Sequence, residues 1–224
     1  MKIREIILFT NLLNEQRSFY SDILELEIIS SDNESFSVKA GASVITFKTA
    51  SGDDNPQYHF AFNIPENQLA AAKEWALKRF ELITLDGEDE FNFESWNAHS
   101  VYFYDPAGNI VEFIARHNLR NRSDEAFSGK SILSVSEIGL PVKNVKEFFD
   151  KISSELKIPL FSGDEKNFAA MGDDEGLFII VPEDRRWFPD CYEAQIFPMT
   201  VKIEAPVKKK IEFESYTIET ITNY

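Results

Sequence analysis

The chain has 224 residues, 43% of them hydrophobic and 20 of them Phe, which is ample for a packed core. Its formal net charge of −15 argues against nucleic acid and anionic membrane surfaces as partners, because phosphate binding needs clustered Lys and Arg. The one basic run, Lys208 to Lys210, is flanked by Glu204, Glu212 and Glu214 and reads as a solvated turn. A lone cysteine, Cys191, permits no internal disulfide and reads as a packing residue. The apolar part of the opening "MKIREIILFT" is too short for a signal peptide, and no apolar run reaches the roughly 18 residues of a membrane span. These features point to the cytoplasm.

Along the chain, "REIILFT" reads as a strand. Asn11 can cap a helix carrying Leu12, Gln16, Phe19, Tyr20 and Ile23 at helical spacing. "LEII", "SFSVKA" and "SVITFK" follow as strands, giving β, α, β, β, β. The order then recurs. "YHFAFNI" is a strand, "PENQLAAAKEWALKRF" a helix with Leu69, Ala72, Ala76 and Phe80 on one face, and "LITLDG", "SVYFY" and "NIVEFI" are strands. Residues 117–131 are polar and break the periodicity, as a linker would. A third copy opens with "SEIGLPV", a helix capped by Asn144 with Val145, Phe148, Phe149, Ile152 and Leu156 as its stripe, and the strands "IPLF", "NFAAM" and "LFIIV". A last piece, "FPMTVKIEA" with "KIEFESYTIETI", reads as strands whose helix is reduced to a turn.

The chain is therefore expected to be an α+β protein of repeated βαβββ modules, each about 50 to 60 residues long. Paired modules would form cupped mixed sheets with helices on the outer faces and a cleft on the inner one. The expected domains are residues 1–116, holding two paired modules, and residues 132–224, holding one module and a truncated one, with residues 117–131 between them. A partial last module would leave an edge or apolar face exposed, which a homodimer could cover.

Superposing the first strands puts Glu5, His59 and Glu137 at one position, on the cleft face, with Ile6, Leu8, Phe60, Phe62, Ile138 and Leu140 under the helices. A second carboxylate raises a related question. In "SVYFYDPAGNIVEFI" the segment Asp105 to Asn109 reads as a hairpin turn, so Glu112 falls inside a strand with apolar neighbours on both faces. It is either in water on an edge strand or buried with a partner.

The pieces "EIILFTNLLNEQRSFYSDILELEI", "HFAFNIPENQ" and "YFYDPAGNIVEF" resemble the vicinal oxygen chelate superfamily, which includes glyoxalase I, extradiol dioxygenases, fosfomycin-modifying enzymes and bleomycin-resistance proteins. The resemblance covers residues 1–116 well and residues 134–182 in part. It implies a divalent metal (Zn, Mn, Ni or Fe) held by Glu5, His59 and Glu112, with Glu112 doubling as a catalytic base. It also implies a lyase or isomerase acting on a small oxygenated molecule, or, alternatively, a metal-free small-molecule binding protein of the bleomycin-resistance kind. The family's usual fourth ligand would fall near Thr46, a poor donor to metals. A single matching histidine disfavours ring cleavage, and Glu137, lacking matching donors in "FPMTV" or on a last strand, is expected to stand outside any metal site. Without a metal, neighbouring Glu5 and Glu112 would share a proton. His99 and His117 read as structural and solvated. Tyr102 or Tyr104 could line the cleft, and Trp187-Phe188-Pro189 reads as a cover over strands.

Overall fold

In the computed structural model, which describes residues 1–52, 55–189 and 192–222, the alternating apolar runs pair into one mixed sheet system. The first module consists of β1 (Ile3–Thr10), α1 (Leu13–Ser18), β2 (Glu27–Ser31), β3 (Ser35–Ala40) and β4 (Ser43–Thr49). The second has β5 (His59–Ile64), α2 (Leu69–Leu77), β6 (Phe91–Phe93), β7 (Ala98–Tyr104) and β8 (Ile110–Arg116). The third has β9 (Ser134–Val142), α3 (Val145–Leu156), β10 (Leu160–Asp164), β11 (Phe168–Asp173) and β12 (Gly176–Pro182). The fourth keeps only β13 (Met199–Glu204), β14 (Lys210–Phe213) and β15 (Tyr216–Ile221), a turn replacing its helix. In every module the first strand runs parallel to the last. Cys191 lies outside the described residues, and among the described residues no helix is long and apolar enough to cross a membrane.

The residues predicted to lie under the helices do so. Ile6, Leu8, Phe60, Phe62, Ile138 and Leu140 are all fully buried in the main core. Asn144 caps α3 through its side-chain oxygen, which accepts from Glu147 N at 3.1 Å. At α1 the expected cap differs: Leu12 is the capping position, with Thr10 Oγ1 accepting from Leu12 N. "LITLDG" makes only isolated bridges, through Leu82 and Leu85, and the strand beside β7 is Phe91–Phe93 instead. The turn at Asp105 is as expected, with Gly108 at φ +79°. The Asp105 carboxylate accepts from Ala107 N, Asn109 N, Asn109 Nδ2, Gln16 Nε2 and Tyr20 Oη, tying this turn to the first module's helix.

The pairing of modules differs from the expected one. First strands pair antiparallel as β5 with β9 and β1 with β13, so the second module closes with the third and the first with the fourth. Among the described residues no first-strand pairing joins the neighbouring modules of residues 1–116; β1 pairs with a strand of the other half only through the Ile3–Val135 bridge to β9, and Phe9 N donates to Tyr58 Oη at 3.2 Å. Each module offers the same kind of free first-strand edge, and the repeat pattern does not encode which edges join. The segment 117–131, read as a linker, is packed where it matters. Phe127 is buried against Trp75 and Phe113, and Gly129 sits where a Cβ would meet Leu24 O at 2.2 Å.

Candidate metal centre

Strand register brings the polar groups together. Glu112 of β8 stands beside Ala61 of β5, and Ala61 beside Glu137 of β9. Tyr102 of β7 flanks Glu112 on the outside. Ala61, fully buried, is small enough to let the two carboxylates lean toward each other across it. His59, two residues back on β5, faces the same side, in keeping with the strand period. One donor atom each from His59, Glu112 and Glu137 lie within 4.8 Å of one another, and all three residues are buried.

The histidine tautomer follows from its contacts. Nδ1 lies 3.1 Å from the Ile110 carbonyl, which can only accept, so Nδ1 carries the proton and Nε2 the lone pair. Nε2 stands 3.8 Å from Glu112 Oε2, too long for a hydrogen bond. Burial lowers the His59 pKa to about 4, and the carbonyl bond only partly opposes that, so the ring is neutral near pH 7. A lone pair therefore faces carboxylate oxygens.

Burial pushes the Glu112 carboxyl well above the usual carboxylate range, and the Glu137 charge pushes it further; Arg116 and the Ser100 and Tyr102 hydroxyls oppose. Glu137 is also raised by burial, with Arg116 opposing. Arg116, fully buried, donates through Nη2 to Glu137 Oε1 and through Nε to Ser136 Oγ at 3.2 Å. Its guanidinium lies 5.5 Å from the centre of the Trp96 ring. With both carboxylates ionised and His59 neutral, this group carries one net negative charge in a low-dielectric setting, an arrangement that a proton or a cation would relieve.

Above the donors lies a cavity of about 90 Å³ with aromatic walls that include Trp96, Phe168 and Trp187. Trp187 belongs to the strap between β12 and β13, and its ring centre is 5.0 Å from that of His59. Gly139 of β9 admits it: a Cβ there would lie 2.7 Å from Trp187 Cη2. The expected cover is present, over this cleft.

Glu5, the third expected ligand, is elsewhere. It lies on β1 in the other cup, where Lys202 Nζ is 2.7 Å from Oε2 and Thr46 Oγ1 donates to Oε1 at 3.1 Å. Its place beside His59 and Glu112 is taken by Glu137, the residue expected to stand outside any metal site. The repeat alignment had put Glu137 at the His59 position; the missing information was that β9 pairs with β5. The position of the third module equivalent to Glu112 is Ile179, two residues beyond the partner of Glu137 on β12, so a fourth protein donor is replaced by an apolar side chain. His99 and His117 face each other, Nδ1 to Nε2 at 2.9 Å, apart from the cavity lining.

No protein-family model matches the chain, and no curated protein matches it. Solved structures do. A candidate dioxygenase from Bacillus subtilis superposes with a TM-score of 0.62 at 13% identity, over 98% of this chain and 85% of that one. A V278E mutant of glyoxalase I from Zea mays superposes with a TM-score of 0.60 at 10% identity, over 99% of this chain and 92% of that one. At these identities the likeness shows the fold alone, a glyoxalase-like α+β architecture.

Proposed function

We propose that the chain is a divalent-metal-dependent enzyme of the lyase or isomerase kind, acting on a small oxygenated molecule above His59, Glu112 and Glu137. The observation that carries this is the neutral imidazole, its Nε2 lone pair directed at a buried carboxylate pair. One nitrogen and two carboxylate oxygens suit Zn, Mn, Ni or Fe(II), and the single histidine disfavours ring-cleaving chemistry. When bound, such an ion supplies Lewis-acid polarisation of a carbonyl or hydroxyl oxygen.

The chain's own residues do the rest. Ile110 fixes the His59 tautomer, and Arg116 holds Glu137 in place as a supporting hydrogen bond does for metal ligands. Glu112, whose proton is held by burial and opposed by Arg116, is the group suited to move a proton at its Oε atoms, with Tyr102 beside it. Trp187 and the aromatic walls limit water in the cavity.

A second reading, a metal-free binding protein, draws on those same aromatic walls, with Glu112 and Glu137 sharing a proton. Metal content separates the two. Protein purified without chelator or affinity metal should carry near-stoichiometric divalent metal, lost in His59→Ala and Glu137→Gln and kept in Glu5→Ala. Metal-free protein that gains no thermal stability from Zn, Mn, Ni or Fe(II) would sink the enzyme reading and leave the binding one.

A further inference from the structure

Two arginines, Arg185 and Arg186, line the cavity that holds the candidate metal ligands. In a chain with a formal net charge of −15 they place two adjacent cations at the mouth of this cleft, on a strap that also carries Glu183, Asp184 and Glu193. Apart from Glu112 and Glu137 at the floor, no carboxylate lines this cavity among the described residues, and no ion pair among them engages either guanidinium.

The arginines stand on ordered backbone. Asp184 N donates to Ala194 O at 2.8 Å, Ala194 N to Arg185 O at 2.7 Å, and Trp187 N to Tyr192 O at 2.9 Å, so the strap is a short ladder. Arg186 bridges to Glu193 within it. The Arg185 guanidinium carbon lies 4.8 Å from the centre of the Phe168 ring, and its Nη1 donates to Asn167 O at 3.3 Å. That leaves further N–H groups of a planar, five-donor fork for a ligand. The polar groups of the cavity thus differ in kind: buried donors to a cation and exposed donors to an anion, on a lining that also includes Trp96, Phe168 and Phe188.

The geometry points to a ligand that carries a carboxylate or another oxyanion, held by Arg185 and Arg186, on an apolar body lying against the aromatic walls. This rests on the reading of the cavity as a ligand site, and it names the ligand's class. The ligand is an oxygenated small acid, and the strap residues select it against its neutral counterpart.

Benzoate and benzamide, nearly equal in shape and different in charge, are suitable probes. Binding is read by quenching of indole fluorescence and by titration calorimetry, in metal-free and metal-loaded protein, at low and raised salt. Benzoate is expected to bind about tenfold more tightly than benzamide, in line with a charge-assisted hydrogen bond. The preference should shrink with salt and disappear in Arg185→Gln/Arg186→Gln, whose side chains are exposed and whose replacement leaves the core intact. Equal binding of the two probes, a preference that survives in the double variant, or no benzoate binding at millimolar concentration overturns the proposal. Metal content, measured on the same samples, judges the metal centre separately. Metal bound with no arginine-dependent preference sinks only the anion site, and a preference without metal sinks only the metal centre.

Discussion

Glu112 sits in a strand whose every residue is buried, and the answer to that apparent misplacement is its neighbours. In metal-free protein its raised folded-state pKa means that the native chain holds a proton the unfolded chain releases. Its stabilising share is therefore complete below the ordinary carboxylate range and is lost as pH rises through the raised value. Glu112→Gln mimics the protonated form at every pH. In chelator, its melting temperature should match the parent's near pH 4 and exceed it near pH 8, by an amount that grows with pH; a constant difference would refute the assignment. His59 works in the opposite sense. Its folded pKa, lowered to about 4, gives a contribution complete above the ordinary histidine range and lost as pH falls from there toward 4. The comparison is therefore read above the ordinary histidine range, where His59 is neutral in the folded and unfolded chain alike.

At the scale of elements, the site is a consequence of three adjacent strands, β8, β5 and β9, with a strap laid over them. Gly139 is the point of closest approach between strap and sheet. Gly139→Ala would bring a methyl group to 2.7 Å from Trp187 Cη2 and 2.9 Å from Cζ2, tighter than any ordinary contact, and the indole, partly buried on the strap, is the partner that can move. Overpacking of this sort costs about 1–3 kcal/mol. The expected result is a small loss of stability with a red-shifted, more readily quenched Trp187 emission, read by difference against Trp187→Phe, and metal content unchanged. An unaltered emission would mean that the strap does not rest on β9. The repeat pattern discloses the strands and their inward positions, and the Trp187 to Pro189 segment reads as a cover, but a segment of mixed polarity such as "PEDRRWFPDCYEAQ" has no period that says which half it covers.

At the scale of the whole molecule, the pairing of modules is the decisive feature. A fragment of residues 1–116 keeps two complete βαβββ modules, yet β1 loses β13 and β5 loses β9. It should therefore fail to give a cooperative monomer and instead aggregate or dimerise through the freed edges. Far-UV circular dichroism and sedimentation would test this; a monomeric, cooperatively melting fragment would contradict the pairing. The intact chain closes both cups within itself, which leaves the Glu5 and Lys202 pair in a cup of its own, away from the candidate metal ligands.

The sequence by itself determined the modules, the residues beneath their helices, the hairpin at Asp105 to Asn109, and the inward place of His59 and the in-strand place of Glu112, because each rests on local periodicity or turn chemistry; the expectation that these two serve as ligands came from the family resemblance. Only the tertiary structure decided that Glu137 and not Glu5 joins His59 and Glu112. All three first-strand residues have equivalent local surroundings, and antiparallel pairing between distant strands, β5 with β9 and β1 with β13, chooses among them. The buried Arg116 beside Glu137 belongs to the same category: it lies two residues beyond the strand "NIVEFI" that local pattern places, and its partner comes from a strand that begins 18 residues later.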